Sequence, residues 1–217
     1  MLPSIFDAEF FSIIATTLLV TVSSTLISAI LGVPIGLWLQ NAQFKGKGLV
    51  VTLNRTLMAT PPVVAGLVVF LILMRNGPLG FLGLLFSPQA MVIAQVVLIT
   101  PIVCGIVYNS AEENATAIRR FAHTMGASKW QTLWLLVKEL RGTIYFAIIA
   151  GFGRATSEVG AIMIVGGNIR HHTRTMTTSI VMLRNQGHFS QAIVFGVILM
   201  SIAFALQVLA NLIRKRD

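Results

Sequence analysis

The chain has a single cysteine, Cys104, so no disulfide framework and no cysteine-ligated metal site can form within one copy. Charge is scarce as well: 11% of the 217 residues are charged, and only 7 are acidic. Together with 55% apolar residues, that scarcity excludes an ordinary soluble domain. No Gly-x-x-x-x-Gly-Lys-Ser/Thr phosphate-cradling run occurs, so ATP hydrolysis by the usual P-loop is not expected of this chain. A convincing nucleophile–base pair is missing too, and no catalytic residue is expected.

What is present is length without charge. Residues 10–44, 56–74, 76–111 and 185–213 are free of charged side chains. Each is long enough to cross a bilayer core, which takes about 20 residues. A fifth run, 142–169, is interrupted only by Arg154 and Glu158. The expectation is one all-α polytopic membrane domain over 1–217 with about five transmembrane helices. Asp7 and Glu9 precede the first run and no small-residue cleavage site follows it, so an uncleaved helix is expected rather than a signal peptide.

The net charge of +9 could suggest a nucleic-acid partner, but the positions of the basic residues argue against one. With five crossings and the N-terminus outside, Lys45, Lys47, Arg55, Arg119, Arg120, Lys129, Lys138, Arg141, Arg214, Lys215 and Arg216 all fall on the cytoplasmic side. Arg75, Arg170, Arg174 and Arg184 stay outside. That asymmetry follows the positive-inside rule and places the C-terminus in the cytoplasm. The charge is topology, with membrane lipid as the neighbour and no nucleic acid.

The one long polar stretch is about 111–142. Glu112, Glu113, Ala115, Ile118, Ala122 and Met125 have helical spacing; Gly126 can end a helix in the left-handed conformation. Ser128 followed by Gln131 reads as a capping box opening a second helix through Trp130, Leu133, Trp134 and Val137. The expected product is a stiff helix-turn-helix bracket suited to docking on a partner.

Helices are expected at about 10–39, from about 50 through the Thr60-Pro61-Pro62-Val63-Val64-Ala65-Gly66 stretch, around Thr100-Pro101, at 143–165 and at 189–213. Gly32 and Gly36, one turn apart, suit close helix packing. The prolines with Thr60 and Thr100 mark either paired breaks beside a transport path or kinks that shape the bundle. Residues 76–88 suggest an outer loop dipping into the interface. Arg154, Ser157 and Glu158 lie close together in the fourth helix. Arg154 and Glu158 can pair at i and i+4, either as an internal ion pair orienting the helix or as a polar girdle beside a path. Asn168, Arg170, His171, His172 and Arg174 form a positive outer loop, read either as a rim that draws in anions or as a contact to headgroups or another protein. A metal site at the two histidines is not expected.

The bracket resembles the cytoplasmic loop of ATP-binding-cassette importer permeases, whose pattern is Glu-Ala-Ala, three residues, Gly, nine residues, Ile-x-Leu-Pro. Laid on Gly126, the triplet falls on Arg120, Phe121 and Ala122, and only its last alanine matches. Gly126-Ala127-Ser128-Lys129-Trp130 is similar to the family's turn, while Leu136-Val137-Lys138-Glu139 replaces the trailing motif. Residues 151–161 and 164–169, with Pro61 to Gly66, resemble the molybdate/tungstate permeases, the tungstate type above all. The resemblance implies a homodimeric subunit of the bacterial or archaeal cytoplasmic membrane that moves a tetrahedral oxyanion. It implies two ATP-binding-cassette subunits holding ATP and Mg, and a separate extracytoplasmic binding protein. It also implies a coupling loop made by Arg120, Phe121, Ala122, Met125, Gly126, Ala127 and Ser128. A permease for molybdate or sulfate, a passive channel or scaffold, and a membrane-embedded enzyme are the alternatives.

Overall fold

The computed structural model describes residues 8–214, with side chains described through Val208. Asp7, Lys215 and Arg216, part of the charge pattern above, lie outside the described residues. The described chain is helical, with no strand. In order, the helices are α1 (Ala8–Asn41), α2 (Lys47–Met58), α3 (Pro62–Leu73), α4 (Pro88–Thr124), α5 (Lys129–Glu139), α6 (Arg141–Thr156), α7 (Gly160–Gly166), α8 (Met176–Asn185) and α9 (Phe189–Arg214). A single 3₁₀ turn, Gly80–Leu82, sits in the segment expected to be a loop. Three helices, α1, α4 and α9, are long and apolar enough to cross a membrane alone. The bent pairs α2–α3 and α6–α7 bring the number to five if each is one crossing.

α4 is the axis of the bundle. At 37 residues it is roughly 55 Å long, well beyond a hydrocarbon core of about 30 Å. Its small side chains Ala90, Ala94, Ala111 and Ala115 are buried and join both main apolar clusters. α1 runs parallel to it: Ser24 meets Gln95, Gly32 meets Val103, Gly36 meets Cys104, and Gln40 meets Arg119. Two parallel neighbours require the chain to cross back between them, which the α2–α3 pair does. Accordingly α2 is antiparallel to α4, with Lys47 near Glu112 and Asn54 at Pro101. α6 is antiparallel as well, pairing Thr143 with Ser110 and Ala155 with Gln95.

α1 is patterned for a membrane rather than for water. Thr17, Thr21, Ser24, Thr25 and Ser28 are buried, while Leu19, Leu26, Ile30 and Trp38 are exposed. Thr17 and Thr25 donate their hydroxyls to carbonyls one turn back, which satisfies them without a partner helix. The Gly32 and Gly36 pair has the packing role that its spacing suggests: a Cβ at Gly36 would come within 2.7 Å of the Cys104 carbonyl oxygen.

Four boundaries differ from expectation. The second span is a corner of 104°, not a kinked rod: Pro61 caps and Pro62 opens α3. Neither proline has an N–H for the preceding helix to use, so α2 ends at Met58. The fourth span also breaks, by 60° between α6 and α7. Pro101, by contrast, interrupts nothing: α4 continues through it, and Asn54 Nδ2 donates to its carbonyl at 3.2 Å. The polar helix expected to begin near Glu112 is the last third of α4, not a separate element. Beyond these, Met176–Asn185 forms a helix that periodicity did not suggest, opened by a Thr175/Thr178 capping box.

Candidate functional site

The two broken spans meet at their breaks. α3 and α7 lie backbone against backbone, because Gly66 faces Ala161: a Cβ on Gly66 would stand 2.6 Å from the Ala161 Cα. One turn earlier Gly160 faces Val63, the second residue of α3. Only glycine and alanine permit that approach, so the starts of both half-helices converge at one level of the bundle.

Glu158 closes the second break. Its carboxyl is 4% exposed, and Oε1 accepts the Ala161 N–H at 3.1 Å, satisfying a first-turn donor of α7. Oε2 lies 3.8 Å from Arg154 Nη2, an i, i+4 pair that spans the end of α6. The Glu158 carbonyl accepts the Thr177 hydroxyl at 3.0 Å, tying the break to α8. Arg154 is held more loosely, with 37% of its side chain exposed. The pair is therefore lopsided: a buried, fixed carboxylate and a cation that reaches the surface. Ser157 is exposed beside it and donates to the Arg154 carbonyl.

The other residues suggested for a path divide. Thr60 and Pro61 lie at the surface of the α2–α3 corner, and the Thr60 hydroxyl reaches back to Thr56. Thr100 and Pro101 lie inside the bundle, and the Thr100 carbonyl faces Gly32 of α1. The Thr100 hydroxyl is buried without a hydrogen-bond partner.

A buried polar network passed unnoticed in the sequence. Gln95 accepts the Ser24 hydroxyl and donates to the Ala155 carbonyl at 3.0 Å, linking α1, α4 and α6 through one amide. Thr175, Thr177 and Thr178 bond among themselves, and Met176 donates its N–H to Thr17 at 2.9 Å. A lone glutamine in an apolar run was the available signal for Gln95.

In the loop expected to face outward, Arg170 and Arg174 share one carboxylate. Arg170 Nε donates to Glu9 Oε2 at 2.8 Å, and Arg174 Nη1 binds Oε1 of the same carboxylate. Glu9 thus clasps both arginines to the start of α1. Within the loop Asn168 and His171 hold positive φ, 51° and 59°, beside Gly167 at 69°. Thr173 pins the turn by donating to Gly166 and accepting from Ile169 N–H. His171 and His172 are exposed, and the Asn168 side-chain oxygen is buried without a partner.

At the opposite end of α1, roughly 50 Å away along its axis, stands the bracket. Gly126 adopts φ 66°, and the Ala127 N–H returns to the Ala122 carbonyl at 2.9 Å across the corner. The Ser128–Gln131 capping box is complete in both directions. Ala122 is buried beneath the corner, while Phe121 and Met125, one turn apart, are 58% and 71% exposed. Arg120 is exposed beside them, and Trp130 stands out from the start of α5.

Comparison with known proteins agrees with this architecture. The family model for the inner membrane component of binding-protein-dependent transport systems matches residues 32–216. The chain is 41% identical over 201 residues to the tungstate uptake system permease protein TupB of Peptoclostridium acidaminophilum, covering 93% of this chain and 88% of that one. It is 37% identical to a probable anion ABC transporter permease protein of Haloferax volcanii, covering 94% and 90%. In fold it is similar to a bacterial ABC transporter involved in alginate import, with TM-score 0.76 at 19% identity over 97% of this chain and 80% of that one. The chain therefore belongs to the binding-protein-dependent transport-system inner membrane components, as a multi-pass protein of the cytoplasmic membrane.

Proposed function

We propose that the chain is the permease subunit of an ATP-driven importer that carries a tetrahedral oxyanion, tungstate, into the cell. The identity to a tungstate permease over nearly the whole length supports the choice of anion. The observation that carries the mechanism is α4, which runs unbroken from Pro88 to the bracket. A push on the Phe121/Met125 corner travels along one rod. That rod touches α2 at Asn54 and Met58, α6 at Ala155 and α7 at Gly166, so it reaches both broken spans. Rocking it tilts the half-helices against each other and alternates access to the space beside the breaks.

In this reading the bracket end is cytoplasmic. Lys45, Lys47, Arg119, Arg120, Lys129, Lys138 and Arg141 all belong to segments at that end of α1, in keeping with the positive-inside rule. The Glu9 end faces outward and receives the binding protein. One copy leaves Val63, Val64, Leu67, Val68 and Leu71 of α3 exposed, with the α2–α3 corner at the surface. A second copy closes the path, and two ATP-binding-cassette subunits supply ATP and Mg. On that path Arg154 attracts the anion, while the neighbouring Glu158 carboxylate keeps the attraction weak enough for release. The chain itself performs no hydrolysis.

The test is a pull-down of the tagged chain from native membrane in mild detergent, followed by an ATPase assay of the eluate. The proposal expects a P-loop ATPase whose turnover rises with a tungstate-loaded binding protein. A rise with molybdate or sulfate alone would replace the anion. A chain that purifies without any ATPase would overturn the transporter reading in favour of a channel or scaffold.

A further inference from the structure

A second polar feature lies far from the breaks, inside the angle of the bracket. Between α4, α5 and the last turn of α1 is a cavity of about 410 Å³. Its polar lining is Asn41, Arg119, His123, Lys129 and Thr132, and it includes no carboxylate. Arg119 is held in place by neutral acceptors: its Nη2 donates to Gln40 Oε1 at 2.9 Å and to Asn41 Oδ1 at 2.8 Å. Amide oxygens fix the guanidinium's direction without cancelling its charge. Lys129 and Thr132 belong to the first turn of α5, whose positive end adds to the field. The floor is apolar, from Ala115, Ile118 and Leu136, which strengthens electrostatic attraction relative to open water.

We propose that this cavity binds a tetrahedral oxyanion group, either a free inorganic oxyanion or the phosphodiester of an anionic lipid headgroup. The volume equals on the order of a dozen waters at about 30 Å³ each, so the ion enters with part of its hydration shell. Two cations, Arg119 and Lys129, line a space whose polar lining includes no carboxylate, and the His123 imidazole and Thr132 hydroxyl add hydrogen-bonding groups. The cavity is roughly 35 Å along α4 from the level of Gln95, so it is not part of the site at the breaks. Because its walls are the two arms of the bracket, an occupant bridges them and stiffens the corner through which a partner acts. The cavity has this lining whichever anion the chain transports.

The experiment uses the full chain in nanodiscs of phosphatidylcholine, dialysed to equilibrium against radiolabelled inorganic phosphate at fixed ionic strength. Saturable uptake of one phosphate per chain is expected. The paired substitution H123Q and K129Q should weaken it about tenfold or more, because the Lys129 charge and its charge-assisted hydrogen bonds are lost along with the imidazole. Both side chains are exposed, and K129R, which keeps the charge, should bind like the original and so controls for misfolding. A second arm adds phosphatidylglycerol to the discs and measures the lipid retained on detergent extraction. Retention by the original chain and loss in the paired variant, without phosphate uptake, would assign the site to a headgroup. If neither ligand binds, or both bind the paired variant equally well, the proposal is overturned.

Discussion

Glu158 receives the backbone N–H of Ala161 at 3.1 Å, so the carboxylate at the second break also starts the helix that follows it. An ionisable group buried in a membrane protein invites a purely functional explanation. Here one carboxylate opens α7 through Oε1 and faces Arg154 through Oε2.

That double role predicts a graded response. Glu158→Gln keeps an acceptor for Ala161 and should lose little stability, whereas Glu158→Ala leaves a buried N–H unsatisfied and should cost about 1–3 kcal/mol. Thermal unfolding of the two variants in one detergent is the check. Equal melting temperatures would mean that the carboxylate caps nothing of consequence.

Close packing of α1 on α4 predicts unequal outcomes for two identical substitutions. Gly36→Ala forces a methyl to within 2.7 Å of the Cys104 carbonyl and should destabilise by about 1–3 kcal/mol. Gly196→Ala, in the interior of α9 with nothing within 4 Å, should be neutral or stabilise by up to about 1 kcal/mol. The melting temperature should fall for Gly36→Ala and hold or rise for Gly196→Ala.

The Glu9 clasp predicts local loosening. Glu9→Gln weakens the hold on Arg170 and Arg174, two hydrogen-bonded cations on one carboxylate. Hydrogen exchange over residues 168–174 should speed up severalfold while α4 stays protected. Unchanged exchange in that loop would show that Thr173 alone pins it.

How much of this could be read in the sequence depended on whether the signal was local. Gly126 and the Ser128–Gln131 box are short-range chemistry, and both formed where their residue types required. Pro61-Pro62 announced a disruption, though its 104° angle depends on Gly66 meeting Ala161, a contact between distant segments. The second break falls at Ser157-Glu158-Val159, without glycine or proline, and exists because tertiary partners such as Thr177 hold it open. Pro101 is the converse case: packing in the bundle, with Asn54 at its carbonyl, carries α4 through it. The pairing of Arg170 and Arg174 with Glu9 is not legible locally because Glu9 lies more than 160 positions away. Binding-site logic carried by residue type was legible; whatever depended on which helix lay alongside was not.

In the proposed function the bracket drives the breaks through α4, and Gly126 is the place to test that coupling. Gly126→Val puts a β-branched side chain at φ 66°, distorting the corner without touching the bundle, since nothing lies within 4 Å of it. The measurement is ATP-driven tungstate uptake into proteoliposomes containing the chain, its ATPase and a loaded binding protein, with ATP hydrolysis followed in parallel. Hydrolysis should continue in the variant while uptake falls at least about tenfold, a coupling loss of about 1.4 kcal/mol or more. Uptake that keeps pace with hydrolysis in Gly126→Val would contradict it.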